Sequence, residues 1–134
     1  MTDDPAALLA AYDAQLRGAA EVQGALSWDR SGPLWRAKFG HGGFVSYESL
    51  EGVPDVDALI AETVSFFAAD PDMEEFEWKT RGHDRPPDLG QRLEAHGLVP
   101  EEVETVMVGG ARALALWRLF SDCEKVENAV CNVR

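Results

Sequence analysis

The sequence predicts an α/β (α+β) domain in which a mixed, mostly antiparallel sheet is flanked by helices, in the order α-β-β-β-α-β-α-β plus a C-terminal helix. Three observations carry this prediction. Apolar residues recur at helical spacing near the N-terminus and again over 56–69. Period-2 alternation, the mark of a half-buried strand, runs through 34–39 and 76–81. Clusters of Gly, Asp, Ser and Pro punctuate the intervals between these segments.

Asp4 followed by Pro5 predicts a helix start, because an Asp side chain caps free N–H groups and Pro at the first helical position loses no bond. Leu8, Leu9, Tyr12 and Leu16 fall on one face of that helix, and Gly18 ends it. Periodicity of helical type then disappears over 22–47. Asp29-Arg30-Ser31-Gly32 and Gly40-His41-Gly42-Gly43 are turns, so Leu26 and Trp28, the run Leu34 to Phe39, and Phe44, Val45 and Tyr47 mark a three-stranded antiparallel meander. Val56, Leu59, Ile60, Thr63, Val64 and Phe67 repeat at three and four, which predicts an amphipathic helix over 56–69 capped by Asp55 and stopped by Asp70-Pro71-Asp72. A strand over 75–81 alternates Phe76, Trp78 and Thr80 with Glu77, Lys79 and Arg81. A short helix over 89–96 follows, with Asp88 as cap, Gln91 completing a capping box, and Leu89 and Leu93 facing the core. Leu98-Val99-Pro100 is a brief strand or turn and Val103 to Val108 the last strand. Residues 111–131 are rich in Ala and Leu without an internal breaker, which predicts a helix, apolar nearly all round over 111–120.

Composition narrows function by exclusion. Hydrophobic residues make up 46% and charged residues 27% of 134 residues, a globular composition for a single domain of ordinary size. A net charge of -12 repels nucleic acid and anionic membrane surfaces. No apolar run approaches the ~18 residues of a spanning helix, and Met1-Thr2-Asp3-Asp4 has no basic n-region, so a cytoplasmic protein without membrane attachment is expected. Cys123 and Cys131 form neither a disulfide framework nor, with His41, His83 and His96, a zinc spacing, so no metal is expected.

The densest polar constellation is Arg81, His83, Asp84 and Arg85, in the loop after the 75–81 strand. A His flanked by a carboxylate has the minimum equipment of a general base, so Arg81, His83, Asp84 and Arg85 are the candidate substrate or partner binding site. The structural alternative is that Asp84 satisfies loop N–H groups and Arg81 pairs with an acidic neighbour. No catalytic residue is assigned. His41 sits in a hairpin turn and His96 at a helix end, while Trp28, Trp35 and Trp78 are expected in the core.

Taken with these elements, Ala10-Ala11-Tyr12-Asp13-Ala14-Gln15-Leu16-Arg17, Phe76-Glu77-Trp78-Lys79, Gly82-His83-Asp84-Arg85-Pro86-Pro87-Asp88-Leu89 and Glu104-Thr105-Val106-Met107-Val108 resemble the GNAT N-acetyltransferase family. More narrowly, they look like the N-terminal lobe of two-lobed GNAT proteins of actinobacterial type. The resemblance covers about residues 5–110 and implies a GNAT-like lobe over 1–110 with a C-terminal helical extension over 111–134. In that family a Gln/Arg-x-x-Gly-x-Gly/Ala loop before a helix holds the pyrophosphate of acetyl-CoA on backbone N–H groups. The equivalent place here reads Tyr47-Glu48-Ser49-Leu50-Glu51-Gly52-Val53-Pro54-Asp55, with one Gly and three carboxylates that repel a diphosphate. The expectation is therefore a degenerate lobe that binds no cofactor itself and serves as a structural or interaction module, with a protein partner or self-association through the 111–120 helix. The enzymatic alternative is an acetyl-CoA-dependent N-acetyltransferase acting on an amine with a partner lobe, where Glu77 or Asp84 takes the proton by position. A third is a small-molecule binding domain.

Overall fold

A computed structural model describes residues 4–40, 42–108 and 124–133. Helix α1 (Pro5–Leu16) begins as expected: Asp4 Oδ2 accepts the N–H of Ala7 at 3.1 Å. Its apolar stripe is shorter than expected. Tyr12 is buried, but Leu16 is 55% exposed. The chain turns at Gly18, in the left-handed region at φ 65°, into a 3-10 helix, Gly18–Val22, that the sequence did not announce. That turn, through buried Val22, continues the cover over the sheet in place of Leu16.

The meander forms as predicted. Strands β1 (Ser27–Ser31), β2 (Leu34–Phe39) and β3 (Gly42–Ser46) pair antiparallel, from Ser27↔Lys38 to Ser31↔Leu34 and from Trp35↔Ser46 to Phe39↔Gly42. Helix α2 (Val56–Ala68) is capped by Asp55, whose Oδ1 accepts the N–H of Ala58 at 3.0 Å. It returns the chain to strand β4 (Glu75–Arg81), which lies parallel to β3 over Gly42↔Glu75 to Val45↔Trp78. Helix α3 (Leu89–Ala95) buries Leu89 and Leu93 as expected. Its start differs: the Asp88 side chain makes no capping bond and instead accepts from Arg92 Nε at 3.0 Å. Arg92 also donates to Asp57 Oδ2 at 2.8 Å, tying α3 to α2. The competing guanidinium takes the carboxylate that a capping box needs. Strands β5 (Val99–Pro100) and β6 (Glu104–Val108) follow.

The C-terminal helix expected over 111–131 is corrected over its second half. Residues 124–133 form strand β7 (Glu124–Val133), while 111–123, with the 111–120 apolar helix, lie outside the described residues. β7 pairs antiparallel with β4, from Phe76↔Val133 to Arg81↔Asn128, and on its other side with β5 and β6. Two causes favour the strand. Val126, Val130 and Val133 are β-branched, and Asn128 and Asn132 are poor helix formers. Without β7, β4 would also present a row of unpaired backbone groups. Over this stretch the expected helical extension is a strand of the same sheet. The fold is therefore mixed α/β, with one sheet ordered β1-β2-β3-β4-β7-β5, and among the described strand pairs only β3–β4 is parallel.

The core lies between the sheet and α2–α3, where Leu34, Val45, Tyr47, Ile60, Trp78 and Leu93 are fully buried. Phe67 of α2 stacks on Phe76 of β4 with centroids 4.6 Å apart. Gly43 permits this, since a Cβ there would meet the Phe67 ring at 2.4 Å. Trp28, expected in the core, is 55% exposed because β1 is an edge strand and its side chain reaches past the cover. Trp35 is half-buried, with Arg30 stacked 3.4 Å above its ring. α1 and the 3-10 turn cover the opposite face of the sheet, and there the polar residues gather.

Candidate functional site: an ionic network between helix 1 and the loop after strand 4

Strand alternation places Glu77, Lys79 and Arg81 on the face of β4 away from the core, where solvent would be expected. α1 and the 3-10 turn cover that face instead, and Arg81 is only 3% exposed. Its guanidinium is satisfied by fixed partners. Nη2 donates to Glu21 Oε1 at 2.8 Å, Nε to Tyr12 Oη at 3.2 Å, and Nη1 to the Lys79 carbonyl at 3.2 Å. Glu21 Oε1 also accepts from Ser46 Oγ at 2.8 Å, and Ser46 Oγ in turn accepts the N–H of Gly18 at 2.9 Å. Helix α1, the 3-10 turn, β3 and β4 are thus joined by one chain of hydrogen bonds.

Asp84 is the second node. The chain turns after Gly82, so that the Asp84 N–H bonds the Arg81 carbonyl at 3.0 Å while Asp84 Oδ2 accepts the Arg81 N–H at 3.0 Å. The same oxygen accepts from Tyr47 Oη at 2.6 Å, and Asp84 Oδ1 lies 2.9 Å from Arg17 Nη1. The Arg17 side chain is 1% exposed, and its Nη1 also reaches Asp13 Oδ1 at 3.1 Å. Burial works against the charge on Arg17. The facing Asp84 carboxylate, with Tyr47 and Asp13 behind it, outweighs burial and lifts the guanidinium above its ordinary pKa. Burial first, then Asp84, pushes the Tyr47 hydroxyl well above the usual tyrosine range, so it remains a donor. His83 Nε2 sits 2.8 Å from Asp13 Oδ2.

Of the four loop residues singled out in the sequence, Arg81, His83 and Asp84 therefore meet in one network, each bonded within the protein. Arg85 stands apart: it is exposed, and among the described residues its Nη1 reaches only the Asp84 carbonyl at 3.4 Å. A cavity of about 180 Å³ opens beside them, lined among others by Asp13, Arg17, Glu48, Ser49, His83 and Arg85. Nε and Nη2 of Arg17 are buried without a hydrogen-bond partner among the described residues. The sequence did not reveal Tyr12, Arg17, Glu21, Ser46 or Tyr47 as members. Asp13 and Arg17 lie four apart, a spacing that ordinarily marks an exposed pair and does not announce a buried site.

The loop over 48–55 joins β3 to α2 between two wider hollows of about 410 and 620 Å³. Its backbone is turned in on itself. Ser49 Oγ accepts the Glu51 N–H at 3.0 Å, the Leu50 carbonyl accepts the Val53 N–H at 3.2 Å, and Asp55 caps the helix. Glu77, half-buried on β4, has its carboxyl raised by burial, helped by Glu101, Glu104 and Glu21 and opposed by Lys79. No group of three or more His, Cys, Asp or Glu among the described residues could hold a metal ion. No described helix is long and apolar enough to cross a membrane. His41 lies outside the described residues, and His96 Nε2 faces Asp57 Oδ1 at 3.3 Å.

No family model, curated protein or solved structure matches this chain.

Proposed function

We propose that this chain is a GNAT-like lobe that binds no acetyl-CoA by itself and works as a structural or interaction module of an N-acetyltransferase. The observation that carries this reading is the Asp55 carboxylate on the Ala58 N–H at the start of α2. A pyrophosphate held at that helix N-terminus would need the same donor, and would meet Glu48 and Glu51 on the approach. The element order, with a meander, a helix and then a strand parallel to β3, supports the family side of the proposal. Calorimetry with acetyl-CoA tests it: no binding heat is expected, and micromolar affinity for the chain alone would overturn it.

One observation favours a narrower form of the enzymatic alternative, in which a partner lobe brings acetyl-CoA. Of the two carboxylates placed to take a proton from an attacking amine, Asp84 already accepts from Tyr47 and the Arg81 N–H and is paired with Arg17. Among the described residues Glu77 has no such donors fixed on it, and burial raises its carboxyl above the ordinary carboxylate range. With the partner lobe present, Glu77→Gln would lower turnover and shift its pH profile.

A further inference from the structure

Among the described strands β1 lies at the edge of the sheet. Ser31 and Leu34 close a two-residue turn as a directly opposed pair, and Pro33 can donate no bond inside the turn, so this pair exchanges its hydrogen bonds. Bonding then alternates back along β1. Ser31, Asp29 and Ser27 point their N–H and C=O groups at β2, while Trp28 and Arg30 point theirs outward. Among the described strands nothing pairs with this outer edge. Edges of this kind are ordinarily blunted by Pro, Lys or a bulge. The β1 run Ser-Trp-Asp-Arg-Ser carries no Pro or Lys, and it displays Trp28 at 55% exposure beside Leu26 at 79%.

We propose that β1 pairs antiparallel with β1 of a second copy, joining the two sheets across a two-fold axis at Asp29. In that register Trp28 lies opposite the second copy's Arg30, and the four outward groups of each chain bond those of the other. Arg30 already stacks on Trp35, its direct neighbour on β2, with 3.4 Å between the guanidinium carbon and the ring centre. Trp28 of the second copy falls in the same cross-strand row, so each Arg30 becomes sandwiched between two indoles, a cation–π pairing on both faces. The two Asp29 carboxylates meet at the axis. Each arrives neutralised, because Arg36 grips it with two bonds of 2.8 and 2.7 Å that pull Asp29 below the usual carboxylate range. The occupant is a second copy of this chain because the complementarity is internal to one strand: Trp28 and Arg30 flank Asp29 symmetrically. The interface is isologous and closes at two.

Sedimentation velocity of the full chain tests the pairing. The mass is expected to double from 14.7 kDa as concentration rises. Trp28→Arg sets two cations face to face, and Arg30→Pro deletes an outward N–H without touching a bond to β2. Both are expected to return the protein to monomer with an unchanged far-UV circular dichroism spectrum. A monomer at every concentration up to about 1 mM, where association would contribute only ~4 kcal/mol, overturns the proposal. So does a dimer that survives Trp28→Arg, which would place self-association elsewhere. Should Arg30→Pro fail to fold, Trp28→Arg, altering a half-exposed side chain, decides alone.

Discussion

Replacing Asp84 with alanine would strand three donors at once. The carboxylate faces Arg17 at 2.9 Å, the Tyr47 hydroxyl at 2.6 Å and the Arg81 N–H at 3.0 Å, and its side chain is 6% exposed. Removing Asp84 leaves the buried Arg17 charge with Asp13 alone, a partly exposed carboxylate at 3.1 Å, and is destabilising by about 3 kcal/mol, with the Tyr47 hydroxyl contributing within that figure. Against a total stability of ~5–15 kcal/mol, a fall of roughly 10–20 °C in melting temperature is expected. Urea unfolding followed by circular dichroism measures it, with the midpoint moving and the slope constant. The decisive comparison is the double variant Arg17→Met with Asp84→Ala, which removes both charges. It should lose less than the sum of the two single variants, because no buried ion is left alone. A loss below about 1 kcal/mol for Asp84→Ala, or strict additivity in the double variant, would refute the view that this pair is buried and coupled.

Two further substitutions probe other features. Glu77 has its folded-state pKa raised by burial, so ionising it costs stability; that cost is absent below the unfolded carboxylate range near pH ~4.3 and sets in as pH rises through the folded value. Glu77→Gln should therefore raise the melting temperature at pH 7 and have little effect at pH 4, and an equal effect at both would contradict the burial argument. Gly43→Ala would set a Cβ 2.4 Å from the Phe67 ring and 2.8 Å from Phe76 Cβ, which predicts a loss of about 1–3 kcal/mol in chemical denaturation. A neutral result would show that the Phe67–Phe76 stack is free to slide.

Most local signals read correctly from the sequence, the Asp88 capping box excepted, whereas distant partnerships did not. Asp4 and Asp55 were legible as caps because each acts on an N–H three residues away. The β4 alternation was legible because Phe76, Trp78 and Thr80 face the core and are all buried. The role of Arg81 was not, since Tyr12 and Glu21 lie 69 and 60 residues from it in the chain. Asp84 was weighed as a loop cap, which it is, but nothing local announced Arg17 or Tyr47. β7 was misread because its valines follow an Ala- and Leu-rich stretch, and helix propensity is a weak prior against an open sheet edge.

The position of β7 also orders events in time. The β1–β2–β3 hairpins join neighbours in sequence and can close early. The bonds between β4 and β7 span about fifty residues, so their formation waits on a much larger loss of chain freedom. During that wait β4 is zipped only to β3, and its far side is a bare template carrying Phe76 and Trp78. An intruding strand from another molecule would find its best opportunity in that interval, and a mutation that delays β7 would show itself as lost soluble yield before any change in the finished fold.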